Sequence, residues 1–144
     1  MTQVYYAEDE MKAYISIKYH ADNNNKEYIE NITSALGRNG IETVCIARDI
    51  EKWGEVQMSP HELMQEAFAE IDSSDLLVGD LTEKGVGLGI EAGYAYARQI
   101  PIVVIARQGS DISTTLQGIA RKLFLYDEFE ELTDFFEDTI SLGI

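Results

Sequence analysis

Apolar residues in this chain recur in two rhythms, and the rhythms alternate. Short runs dense in Ile, Val, Leu and Tyr occupy residues 14–19, 41–47, 75–80, 101–106 and 123–126. Between them the apolar residues fall three and four apart, as in Tyr28, Ile29, Ile32 and Leu36, which lines one face of a helix. Continuous apolar runs mark strands covered on both faces, and intervening helices imply parallel pairing with right-handed crossovers. The pattern therefore predicts an α/β domain built on a doubly wound, five-stranded parallel sheet, Rossmann-like in layering and flavodoxin-like in strand order, with helices on both faces.

Local signals set the ends of the helices. Asn39 and Gly40 stop the first one, and residues 48–58 read as a long polar loop carrying Trp53. Ser59, Pro60 and Glu62 announce the second helix: the serine accepts a bond from a free amide, the proline suits the first turn, and the glutamate can return the bond. That helix is expected to reach about residue 71, a third, rich in small residues, to cover 86–99, a short one 115–120, and an acidic amphipathic one 128–140. The first strand begins near Lys12, so residues 1–11 are expected as an N-terminal appendage to a single domain over 12–144.

Charge narrows the choice of partner. Lys and Arg number 11 against 26 Asp and Glu, a net charge of −15, which repels nucleic acid and anionic membranes. Cys45 is the only cysteine and His20 and His61 are the only histidines, so neither a disulfide framework nor a Cys/His zinc cluster is expected, and no metal or cofactor is called for. A cytoplasmic setting is expected from the lone cysteine, the lack of any run near the roughly 18 apolar residues of a membrane span, and an N-terminal stretch without a basic region.

Parallel sheets bind ligands beyond the carboxyl ends of their strands, where connections diverge to opposite faces. Residues 18–25, 80–89 and 107–115 frame that region. Its densest signal is the stretch from Gly85 through Glu91 to Ala97. Gly87, Gly89 and Ala92 fit a dinucleotide fingerprint, but they follow the third strand instead of the first, and Glu91 would stand close to the pyrophosphate. The stretch offers instead a carboxylate in the first turns of a helix, among glycines that leave room for a ligand. A helix N-terminus favours the ionised form, which suits a nucleophile; alternatively, the small residues only allow close helix packing while Glu91 caps loose amides.

The surrounding residues carry paired readings. Tyr19 and His20 can stack on a ring or donate to a leaving group, or be simply solvated, and Lys18 is placed to meet a phosphate. Trp53 can close over a base or pin its loop to the domain. Asp80, at the end of the third strand, can act as a general acid or cap the next turn. Ser113 can line a pocket or cap the short helix.

The run Val86, Gly87, Leu88, Gly89, Ile90, Glu91, Ala92, Gly93, Tyr94 and Ala95, between residues 74–78 and 101–104, resembles the signature of the nucleoside 2-deoxyribosyltransferase superfamily, which also contains the 2′-deoxynucleoside 5′-phosphate N-hydrolases. The resemblance spans roughly residues 12–126. It implies that Glu91 attacks the anomeric carbon to give a glycosyl-enzyme ester, that Tyr14 orients it, and that Ser113 is shared across a homodimer. Ser16, Gly85, Gly87, Gly89 and Thr115 complete the expected substrate-binding set. Three departures stand out: Ala67, beside Glu66, replaces an aspartate; Gly85 replaces an aspartate or serine; and residues 18–21 lack the glycine-rich stretch with an arginine.

The leading expectation is an enzyme that cleaves or transfers the N-glycosidic bond of a (deoxy)nucleoside or nucleoside 5′-monophosphate. The alternative is a catalytically weak nucleotide-binding or signalling module of the same fold. Cleavage of the nicotinamide–ribose bond of NAD ranks third, for want of a diphosphate site.

Overall fold

The computed structural model describes residues 11–18, 20, 22 and 24–144. Tyr19 and residues 1–10 of the expected appendage lie outside the described residues. Five parallel strands, β1 (Lys12–Ile17), β2 (Glu42–Val44), β3 (Leu76–Asp80), β4 (Ile102–Arg107) and β5 (Lys122–Tyr126), form one sheet in the order β2-β1-β3-β4-β5. This is the flavodoxin-like order expected from the sequence, with the switch point between β1 and β3. The helices are α1 (Lys26–Gly37), α2 (Pro60–Asp72), α3 (Val86–Ala97), α4 (Thr114–Ile119) and α5 (Glu131–Ser141).

Alternation along the strands divides the core in two. Ala13, Ile15, Leu76, Val78, Val103 and Ile105 pack with Ile29, Ile32 and Leu36 of α1 and Leu132 and Phe136 of α5. Tyr14, Leu77, Ile102 and Val104 face the other way, against Ile71 of α2, Leu88, Ala92 and Ala95 of α3, and Leu116 of α4. The first strand begins at Lys12, as expected, and Met11 before it packs against the first cluster, its carbonyl accepting the Glu42 amide at 2.9 Å.

Two elements differ from the expectation. The run 41–47 is a strand only over Glu42–Val44, because the chain turns into a π-helical turn at Ile46–Ile50 and a 3-10 turn at Lys52–Gly54. Asp49 starts that turn by accepting the Cys45 amide at 2.9 Å, and Arg48 locks it by donating to Asp49, to Thr33 Oγ1 at 2.6 Å and to the Thr43 carbonyl at 3.1 Å. The expected polar loop 48–58 thus begins as compact helical turns. Helix α5 starts later than expected because the Glu131 carboxylate folds back to accept the amides of Asp127 and Glu128, at 3.0 and 2.9 Å.

The start of α2 is as expected: the Ser59 hydroxyl accepts the Glu62 amide at 3.2 Å, with Pro60 in the first turn. Ser59→Ala is expected to lower stability by about 1 kcal/mol, read as a lower urea midpoint with an unchanged slope.

Candidate active site

Two side chains of β1 point at the same helix. Tyr14 and Ser16 are separated by one residue and therefore share a face, and Glu91, in the second turn of α3, reaches down to meet them. The Tyr14 hydroxyl donates to Glu91 Oε2 and the Ser16 hydroxyl donates to Glu91 Oε1 at 3.2 Å. One donor on each oxygen is the pattern of an ionised carboxylate, which can only accept.

Burial pushes the Glu91 carboxyl up to about 7, while the bonds from Tyr14 and Ser16 pull it down. Glu91 lies beyond the first turn of α3, where the terminal charge of a helix has faded; desolvation outweighs the helix effect that the sequence suggested. Burial and the Glu91 charge push the Tyr14 phenol well above its ordinary range, so it remains a donor.

Glu91 opens onto a cavity of about 270 Å³ between the carboxyl end of β1, the π-helical turn, α2 and the start of α3. Lys18, Gly85 and Gly87 line it from the ligand loops, and Ile46, Met64 and Ala67 from the opposite wall. A Cβ at Gly87 would stand 4.0 Å from Glu91 Oε1, and one at Gly85 would stand 3.4 Å from the Lys18 stem. Both glycines keep the carboxylate and the lysine open to the cavity.

Other candidates go elsewhere. Asp80 belongs to the α1/α5 face of the sheet: it pairs in register with Ile17, accepts the Thr82 amide and the Tyr126 hydroxyl, each at 2.9 Å, and borders a separate hollow of about 60 Å³. Burial raises its carboxyl, against the pull of Thr82, Tyr126 and Arg107. The capping reading fits Asp80, which lies on the opposite face of the sheet from Glu91 and its partner Tyr14.

His20 borders that hollow too, with Nε2 at 2.5 Å from Glu83, while Lys18 reaches both spaces. Trp53 packs against the α1-side core under Lys26, whose Nζ is 4.8 Å from the ring centroid, which is the pinning role. Ser113 caps α4 by accepting the Leu116 amide at 3.3 Å. With Thr115 and Gly89 it lines a groove of about 350 Å³ on the far side of Gly85 and Leu88.

The sequence reading passed over Glu51, Leu63 and Met64, which line the Glu91 cavity. Leu63, Met64, Ala67 and Ile71 share one face by helical spacing, so the α2 wall was readable. Glu51 carried no signal, because it depends on the turns that Arg48 and Asp49 create. Among the described residues, no group of three or more His, Cys, Asp or Glu gathers to hold a metal, and no helix is long and apolar enough to cross a membrane.

The fold, an α/β domain with a carboxylate at its switch point, is like that of solved 2-deoxyribosyltransferase structures. No family model matches the chain. A protein of Syntrophotalea carbinolica named as a 2′-deoxynucleoside 5′-phosphate N-hydrolase is 32% identical over 74 residues, 49% of this chain and 52% of that protein, so the match takes in about half of the relative's length. A protein of the same name from Thermofilum pendens is 22% identical over 136 residues, covering 92% of this chain and 94% of its own.

Among solved structures, the CMP N-glycosidase BcmB of Clostridium botulinum superposes with a TM-score of 0.62 at 18% identity, over 89% of this chain and 98% of that one. A 2-deoxyribosyltransferase of Bacillus psychrosaccharolyticus superposes with 0.68 at 11% identity, over 85% and 90%. The relatives by name and the neighbours by fold match the nucleoside 2-deoxyribosyltransferase superfamily that the sequence resembles.

The raised Glu91 carboxyl carries a stability consequence. Its value rises from an ordinary 4.5 to about 7 on folding, so the folded state holds the proton more tightly. That contribution is present below the unfolded value and is lost as pH climbs through the folded one. Glu91→Gln is therefore expected to be more stable than the parent near pH 8, by up to about 3.4 kcal/mol at 1.36 kcal/mol per unit. The advantage fades below about pH 4; thermal unfolding of both proteins across that range reads it.

Proposed function

We propose that the protein breaks the N-glycosidic bond of a (deoxy)nucleoside or nucleoside 5′-monophosphate with Glu91 as nucleophile. The observation that supports this most is the carboxylate itself, held by two hydroxyls at the wall of a cavity of about 270 Å³. In the first step a Glu91 oxygen bonds to the anomeric carbon as the bond to the base nitrogen breaks, and the electron pair leaves with the base. In the second, water or an acceptor base attacks the same carbon and returns the electron pair to Glu91. The Tyr14 and Ser16 hydroxyls orient the attacking oxygens, and Lys18, at the cavity mouth, supplies positive charge for a 5′-phosphate. The names of the relatives, N-hydrolases and transferases, agree with this chemistry.

A second reading keeps the pocket and drops the turnover. It is favoured by Ala67 and Gly85, which line the cavity without a functional side chain; the protein would then bind a nucleotide as a signalling module.

Chromatography of free base after incubation with pooled deoxynucleosides, ribonucleosides, their 5′-monophosphates and NAD, with and without an acceptor base, separates the two. Base release that falls at least about 10⁴-fold in Glu91→Gln is the expected result. Full activity in that variant would end the nucleophile reading, and saturable binding without release would favour the module.

We also propose a homodimer that brings the Ser113 region of one copy to the pocket of the other. Its support is the start of α3, where Val86 and Ile90, one helical turn apart, are 82% and 48% exposed beside the groove lined by Gly85, Gly89, Ser113 and Thr115. Large exposed apolar side chains on one helix suit a covered surface. Light scattering is expected to give a dimer that Ile90→Lys shifts to monomer; a monomeric parent at high concentration would overturn the proposal.

A further inference from the structure

A base that leaves with its electron pair and no proton leaves slowly, and a positioned acid typically contributes about 10²–10⁴ to such a step. Retaining glycoside chemistry accordingly sets a second carboxyl beside the nucleophile. Among the described residues lining the Glu91 cavity, one other carboxyl is present, that of Glu51. Ala67, facing the same space from α2, offers none.

The chain holds Glu51 there by an unusual path. Glu51 joins the π-helical turn to the 3-10 turn: its amide donates to the Ile46 carbonyl at 2.9 Å, and its carbonyl accepts the amides of Gly54 at 2.9 Å and Val56 at 3.0 Å. Lys52 and Trp53, immediately after it, both adopt left-handed backbone, with φ of 49° and 59°. Such conformations are strained in residues with a Cβ and persist only where surrounding contacts enforce them. Arg48 enforces them from one side, through Thr33, Thr43 and Asp49, and Trp53 from the other, packed against the core beneath Lys26. Glu51, just before the two strained residues, is thereby held at the wall of the Glu91 cavity.

We propose that Glu51 is the general acid and base of the reaction put forward above, an inference that rests on that reading. As Glu91 bonds to the anomeric carbon and the bond to the base breaks, the Glu51 carboxyl gives its proton to the departing base nitrogen. In the second step the Glu51 carboxylate takes a proton from the attacking water, or from the acceptor base, as the ester bond to Glu91 breaks. Both carboxyls are then as they began.

Burial acts on both carboxyls of the cavity. Burial raises the Glu51 carboxyl above the ordinary range. Glu91, Tyr14, Cys45 and Lys18 share the cavity with it, Lys52 adjoins it, and Arg48 and Asp49 on its own turn are paired with each other.

The test compares the parent, Glu51→Gln, Glu51→Asp and Glu91→Gln on two substrates: the fastest nucleoside or nucleotide of the pooled panel, and the 7-methylguanine nucleoside with the same sugar, whose cationic base departs without a proton. Glu51→Gln is expected to lower kcat about 10²-fold or more on the first and less than about 10-fold on the second. The bell-shaped pH profile of the parent should collapse to a single ascending limb, and Glu51→Asp, which keeps a carboxyl, should retain the descending limb. Glu91→Gln should lose both substrates alike.

Equal losses on the two substrates in Glu51→Gln, an unchanged descending limb, or no loss would overturn the acid role while leaving Glu91 in place. A parent that releases no base from either substrate overturns the proposed function and the acid role with it. Thermal unfolding of each variant identifies a folding defect, and Glu51→Asp decides the matter if Glu51→Gln is unfolded.

Discussion

The alternation of β1 governs what the site can be. A strand buried on both faces commits each side chain to one of them, and a slip of one residue exchanges the two sets. Here Ala13 and Ile15 face α1 and α5 while Tyr14 and Ser16 face α2 and α3. Register with β3 pairs Tyr14 with Leu77 and Ser16 with Gly79. A slip would set Ile15 against the Glu91 carboxylate and strand two hydroxyls in an apolar layer, each costing a few kcal/mol if unpaired. The hydroxyl pair and the hydrophobic division of the core thus specify the same register.

That constraint also explains which parts were legible in the sequence. The strands and helices were readable because each is dictated by its own periodicity, as with Ile29, Ile32 and Leu36 on α1. Where a side chain reaches across the chain, periodicity misleads: Arg48 and Asp49 end β2 early, and Glu131 delays α5. The gathering of Tyr14, Ser16, Glu91, Gly85, Gly87 and Lys18 was within reach of spacing, motif and resemblance.

Parity decides between the two readings of Asp80 in favour of the cap, since Asp80 lies two residues from Val78 and therefore joins the face of Ile15. Its oxygens are occupied by Thr82 and Tyr126. Glu51 was out of reach altogether. No rule of spacing predicts that a polar stretch will wind into two tight turns, one of them left-handed at Lys52 and Trp53, and so carry a loop carboxylate to the wall of a cavity formed by three other elements.

The way Glu91 is held bears on its chemistry more than its location does. A chain of net charge −15 could have settled a buried carboxylate with an arginine or lysine, which would hold it well below the ordinary range and draw electron density away from it. Two neutral hydroxyls do something different: they fix the direction of both oxygens and supply partial compensation for lost water, while leaving the full charge in place. The balance between burial and those two bonds puts the group at about 7, which leaves a large ionised fraction near neutrality with the basicity of a better nucleophile than an ordinary surface carboxylate. The nearest cation on the cavity wall, Lys18, makes no hydrogen bond to Glu91 and is exposed on the loop after β1. Positive charge is thereby kept at the exposed mouth of the cavity and away from the Glu91 oxygens.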